Sequence, residues 1–353
     1  MMQNNSLPVT CTSQSFEILN INVPSLEPTL AKLIQEAVAS SFGHYSKRSD
    51  LRTPDPVLIR AGTRGGLPSD SLTTDLFWGC LPAPVVCYGN CFAAKAAFSR
   101  GYNFGCRVEN KLDPHILCED LKHLPTSQKF VKNGFNSDPS IDWNKARDFA
   151  EIITSSGLHL LFITKCHTQP TEAILSDLAK FGVELKVSIS AIDLDQPLQK
   201  RLSVIKKYQS LGGLAVPNIM TAKYQNNDLM YRQDKIIEFL LEHDIPACEN
   251  PLRLEYGSHV SLMLDQTAIY SVPGKDSEKD ANEIYCGALY RKFLPLPPYY
   301  SMKSSYEGLP SNRLSDLSAD FIKSCWYIPI ATAEELAEGK TTPRSPRMSL
   351  ILW

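Results

Sequence analysis

Residues 158–190 read LHLLFITKCHTQPTEAILSDLAKFGVELKVSIS. Two runs rich in Leu, Ile, Val and Phe, at 158–165 and 183–190, flank PTEAILSDLAKF (170–181), where apolar residues recur at helical spacing. Strand, helix and strand over this length predict a βαβ unit with parallel strands, because parallel neighbours need a crossover between them. The pattern continues in both directions. KFVKNGF (129–135) and DWNKARDFAEIITSS (142–156) come before; PLQKRLSVIKKYQSL (197–211), LAVPNIM (214–220), DKIIEFLLEH (234–243) and a last strand near CENPLRLEY (248–256) follow. Repeated right-handed crossovers predict an α/β fold, wound as an open doubly wound sheet or as a full or partial (β/α) barrel. Either form puts its working loops at the carboxyl ends of the strands.

Outside this region the pattern weakens. PTLAKLIQEAVASSF (28–42) predicts an amphipathic helix with Leu30, Leu33, Ile34, Ala37 and Val38 on its core stripe, and PVLIRAG (56–62) predicts a strand ending in the turn GTRGG. Past residue 255 regularity fades: LPLPPYY (294–300) reads as a surface bend, RLSDLSADFIKSC (313–325) as a late helix and the end as an extended tail. The expected division is an N-terminal extension over 1–70 packed on a core over 71–255, then an irregular region over 256–353 suited to docking a substrate or partner.

Of the 353 residues, 43% are apolar, enough for a substantial core. No window approaches the 18 to 20 or so apolar residues of a membrane span, and the polar start MMQNNSLPVTCTSQS lacks the layout of a signal peptide, so the expected location is the cytoplasm. A formal net charge of -2 with interspersed signs gives no long-range attraction to phosphate backbones or anionic lipid, which weighs against nucleic acid as a partner.

Three of the ten cysteines, Cys80, Cys87 and Cys91, fall in GCLPAPVVCYGNCFAAKA (79–96). In a reducing compartment they remain thiols, and a disulfide would leave one over. A structural zinc site wants four N/S ligands, often as C-x2-C pairs, and this stretch has neither such a pair nor a nearby His. An iron–sulfur cluster held by three thiolates leaves one iron open for chemistry. Cluster, zinc and unrelated core cysteines all remain open on spacing alone.

The loop resembles that of a branch of the radical S-adenosylmethionine (SAM) superfamily related to spore photoproduct lyase and its phage-associated relatives. The resemblance is carried by Gly79-Cys80, the six-residue gap to Cys87, and CFAAKA; HLLFITK and VSISAIDLDQPLQKRLSVIKKYQSLGGLAVPNIM extend it over roughly residues 75 to 255. It implies a partial (β/α)6 barrel, and a [4Fe–4S] cluster whose open iron chelates SAM. It further implies one-electron cleavage of SAM to a 5′-deoxyadenosyl radical, fed by an external electron donor. Two departures stand out. The commonest superfamily spacing is C-x3-C-x2-C, whereas this chain has C-x6-C-x3-C with Ala94 where the common pattern has its last cysteine, so the third ligand is Cys80 or, alternatively, Cys106. The Gly-Gly-Glu motif that holds the SAM amino group in many relatives is replaced by VKNGFNSDP, leaving Asn133, Asn136, Ser137 and Asp138 for that task.

Under the same resemblance, Ser188 and Ser190 share one strand face and are expected to meet the SAM ribose or carboxylate, and Arg201 to grip the carboxylate. Asn218 and Thr221 are expected near the adenosine, Lys165 and His167 at the active edge near the substrate, and Cys248 or Cys325 as a hydrogen-atom donor. Each has a plainer alternative as a solvated or core residue. The implied substrate is a ribosomally made peptide, processed in the manner of a splicease and helped by a small partner protein. Alternatives are a nucleic-acid lesion, or no catalysis at all in a zinc-stabilised binding protein.

Overall fold

The computed structural model describes residues 21–40, 50–61, 72–80, 87–122, 130–134, 136–271, 283–290 and 293–294. In chain order the elements are α1 (Pro28–Ser40), β1 (Leu72–Thr73), β2 (Phe77–Trp78), α2 (Phe92–Ser99), β3 (Val108–Glu109), α3 (Pro114–Lys122), β4 (Phe130–Asn133), α4 (Trp143–Ser155), β5 (His159–Thr164), α5 (Glu172–Lys180), β6 (Glu184–Ser190), α6 (Asp195–Ser210), β7 (Leu214–Ala215), β8 (Asn218–Thr221), α7 (Asn227–Glu242), β9 (Cys248–Pro251), β10 (Arg253–Glu255), β11 (Ile269–Ser271) and β12 (Glu283–Cys286).

The central sheet runs β1-β4-β5-β6-β8-β9, and every pairing along it is parallel. Among the described residues its strands follow chain order with no reversal. Between β7 and β8 the ladder on β6 is broken where Pro217, with no N–H to donate, takes its place; β7 pairs with Glu184 and Leu185, and β8 with Ser188–Ser190. Three of the helices start where short polar side chains accept from the first turn: Asp142 from Asn144 and Lys145, Thr171 from Ile174, Asn226 from Asp228 and Leu229.

All seven residues of β6 are buried. Alternation puts Leu185, Val187 and Ile189 on one face and Glu184, Lys186, Ser188 and Ser190 on the other. Pairing carries the polar face across the sheet, Ser188 opposite Asn218 and Asn218 opposite Cys248. The apolar residues of α1, the sheet and its helices form one continuous core. The segment before α1 is fastened to α6, with reciprocal bonds between Ile21 and Gln199 and with Leu26 N–H donating to Asp195 at 3.0 Å.

Several expectations are corrected. Residues 56–61 form no strand; Leu58 makes one isolated bridge to Lys111, with the hydrogen bonds of a single bridge and no further ladder. Leu33 in α1 is 53% exposed and lies off the stripe. CENPLRLEY divides between two sheets, β9 in the parallel one and β10 in an antiparallel one ordered β10-β12-β11. Residues 256–271 and 283–290 are therefore more regular than expected, and their pairing crosses the division placed after residue 255. The late helix and Cys325 lie outside the described residues. No helix among the described residues is long and apolar enough to cross a membrane.

Candidate functional site

A cleft opens at the carboxyl ends of β5 and β6, enclosing about 930 Å³ of empty space, part of it open to solvent. Cys80, Cys87 and Cys91 all line it, together with Ser137, Asp138, Lys165, His167, Ser188 and Asn218. The sequence-predicted cysteines and half of the predicted polar residues thus meet in one place. Cys106 does not line the cleft; its thiol donates to the Asn103 carbonyl at 2.7 Å.

The position of Cys80 depends on Gly79. At φ +76° a Cβ there would sit 2.2 Å from the Cys106 carbonyl oxygen and 2.6 Å from that of Phe104. Both contacts are with backbone, so no side chain fits. Cys80 packs with Ala93, Ala94, Ala97, Phe98 and Phe104, and its sulfur lies 3.3 Å from His167 Nε2. Cys87 and Cys91 share a hydrogen bond that pushes Cys87 up and draws Cys91 down; Cys91 precedes the first turn of α2, where the N–H groups of Ala94 and Ala93 also favour its thiolate.

Two buried carboxylates order the rest. Asp138 accepts from Thr164 Oγ1 at 2.6 Å, Lys165 N–H at 2.7 Å and Ser140 N–H at 2.8 Å, and lies 3.4 Å from His167 Nε2. Burial lowers His167 against the pull of Asp138. Asp193 accepts from Tyr88 Oη at 3.0 Å and Ser190 N–H at 2.8 Å, and pairs with Arg201 at 2.6 Å and Lys165 at 3.4 Å. Burial alone would raise the Asp193 carboxyl; Arg201 and then Lys165 reverse this and hold it below its ordinary range. Burial brings Lys165 down to about 8 even with Asp193 beside it, and its ammonium sits 3.3 Å from the centre of the Tyr88 ring. Tyr88 has φ 55° and Cys166 φ 46°, a left-handed backbone uncommon for such residues, and both border this knot.

Other expected residues are placed elsewhere. The Arg201 guanidinium is committed to Asp193 and to the Lys165 carbonyl at 2.6 Å and does not line the cleft, which corrects its expected role as a carboxylate grip. Asn133 is fully buried and donates to the Thr74 carbonyl; Asn136 is tied to Asp75 by backbone and side chain. Ser137 bonds to Asp75 at 3.3 Å and still reaches the cleft. Ser190 donates to the Met220 carbonyl and Thr221 to Glu249, both beneath the surface. Cys248 lies below the cleft beside Lys186.

Sequence reasoning missed Tyr88, Asp193, Asn90 and Arg253. Asn90, inside the cysteine loop, donates to the Arg253 carbonyl at 3.0 Å, which brings a cation from β10 to the cleft wall. For Asp193 a signal existed, an acid directly after a strand's carboxyl end.

The thiol set suits a cluster in its chemistry: three sulfurs from one loop line one cleft beside the small side chains of Ala93 and Ala94. Among the described residues no three His, Cys, Asp or Glu side chains converge as a single ion requires. A four-iron cube makes a different demand, since each thiolate meets its own corner. Compared with known proteins, the chain matches no family model and no curated protein.

Proposed function

We propose that the chain is a radical SAM enzyme that binds a [4Fe–4S] cluster through Cys80, Cys87 and Cys91 and acts on a peptide. The observation that carries this reading is that those three cysteines, close in sequence, line one cleft at the carboxyl ends of parallel strands. We further propose that the sheet rolls into a partial (β/α)6 barrel. Six strands in chain order support this, as does their stagger: Asn218 opens β8 yet pairs with Ser188, the fifth residue of β6, whereas Thr164 at the end of β5 pairs with Val187.

With cluster and SAM bound, the group supplies a one-electron cleavage that yields a 5′-deoxyadenosyl radical. The chain's own residues hold and orient. Ser137 and Asp138 offer oxygens to an ammonium, Ser188 and Asn218 offer hydrogen bonds to a ribose, and Arg253 takes the carboxylate task that Arg201 cannot perform. Lys165, held by Asp193 and Tyr88, presents a fixed donor at the cleft wall. Tyr270 in β11 and Tyr256 just after β10 are exposed aromatic side chains at the antiparallel sheet that bears Arg253, and their type favours a peptide substrate over a charged polymer.

The test is electron paramagnetic resonance of anaerobically reconstituted, dithionite-reduced protein. A [4Fe–4S]⁺ signal that changes on adding SAM is expected, with iron lost from Cys80→Ala, Cys87→Ala and Cys91→Ala but retained in Cys106→Ala. Stoichiometric zinc with no iron signal would overturn the proposal.

A further inference from the structure

Beneath the cleft, the polar face of the sheet holds a second cluster of reactive groups. Lys186, 4% exposed, points its ammonium at the Cys248 sulfur, 3.3 Å away. Glu184 fixes the same ammonium from the other side, with Oε1 at 3.9 Å from Lys186 Nζ, and its second oxygen lies 3.2 Å from His159 Nε2. Lys186 and Cys248 stand on β6 and β9, strands separated by β8, so the lysine stem spans the inner face of an intervening strand to meet the thiol. No disulfide competes for Cys248 among the described residues, and the residue is partly accessible, so a small oxidant reaches it.

We propose that Lys186 and Cys248 form an oxidative cross-link, a sulfenamide, when the protein meets hydrogen peroxide. Peroxide oxidises the Cys248 thiol by two electrons to a sulfenic acid; the O–O bond breaks and one water leaves. The amine of Lys186 then attacks that sulfur. An S–N bond forms, the S–O bond breaks, the hydroxyl departs as a second water, and the proton given up by the ammonium passes to the Glu184–His159 pair. Overall, one S–H and two N–H bonds are replaced by one S–N bond, peroxide is reduced to two waters, and one proton is left on the Glu184–His159 pair. The geometry supplies what this condensation needs: a nucleophile in van der Waals contact with the electrophilic sulfur, and a carboxylate beside the nucleophile. The product ties β6 to β9 across β8, reaching β9 at the residue paired with Asn218.

The experiment is peptide mapping by mass spectrometry of the full chain after brief peroxide treatment, with no cluster loaded, so that it reads independently of any iron site. The expected product joins the peptide carrying residue 186 to that carrying residue 248, about 2 Da lighter than the two together, and reverts with dithiothreitol. Lys186→Arg keeps the charge and removes the cross-link, leaving Cys248 to oxidise onward with a gain of about 32 Da. If that variant does not fold, dimedone added with peroxide to the unaltered chain should trap the sulfenic acid and suppress the joined peptide. A sulfinic acid at Cys248 in the unaltered chain with Lys186 unlinked, or a bond from Cys248 to another cysteine, would overturn the proposal.

Discussion

Asp193 governs the site at the level of single residues. Asp193→Asn would leave Arg201 and Lys165 buried without their shared counter-charge, an arrangement that costs about 3–5 kcal/mol; chemical denaturation at neutral pH is the check. The pH dependence follows from the two shifted groups. Because the folded-state carboxyl lies below its ordinary value, its contribution is complete above that value and fades as pH falls through the lowered one, so wild type and variant should converge in acid. For Lys165 the sign is opposite in origin: the folded chain gives up this proton near 8 and the unfolded chain near 10.5, so this group makes stability rise between those values. Neither effect is legible from spacing. The cysteines were, since three thiols in one loop restrict the chemistry before any fold is known. The role of Arg201 was not, because a helical arginine looks the same in sequence whether it faces a ligand or a buried aspartate.

Among the elements, strands with uniform apolar character declared themselves. Residues 158–165 and 183–190 became β5 and β6, with three of the four ends moved by one residue and the last unchanged. Elements fixed by tertiary context did not: β11 and β12 are short strands whose stability rests on each other and on β10, and 56–61 has strand composition with only an isolated bridge. Helix α7 begins well before the periodic stretch DKIIEFLLEH because Asn226 caps it, and Leu229, Arg232 and Gln233 are buried in its first half. Asn226→Ala should remove the oxygen that accepts from both first-turn N–H groups and lower stability by about 1 kcal/mol, with Asn226→Ser restoring most of it, as read by thermal unfolding of the three proteins.

Across the whole molecule, the segment before the sheet is part of the core. Leu30, Ile34, Ala37 and Val38 are buried in the same cluster as β4 to β9, and Leu26 and Ile21 are bonded to α6, the helix that carries Arg201. A chain starting at residue 50 should lose about 3–6 kcal/mol through the uncovered apolar surface and bind more of a hydrophobic dye, measured by denaturation and dye fluorescence. An unchanged midpoint would show that the helix rides on the surface instead.

The unbroken chain order of the strands also governs how the protein is made. Each strand leaves the ribosome with its sheet neighbour already synthesised, so the sheet can grow by one edge at a time without waiting for a distant partner. The cysteine loop belongs to the first strand's end, whereas Ser188, Asn218 and Arg253 arrive more than ninety residues later. Its three thiols are therefore synthesised well before the residues that form the far wall of the cleft.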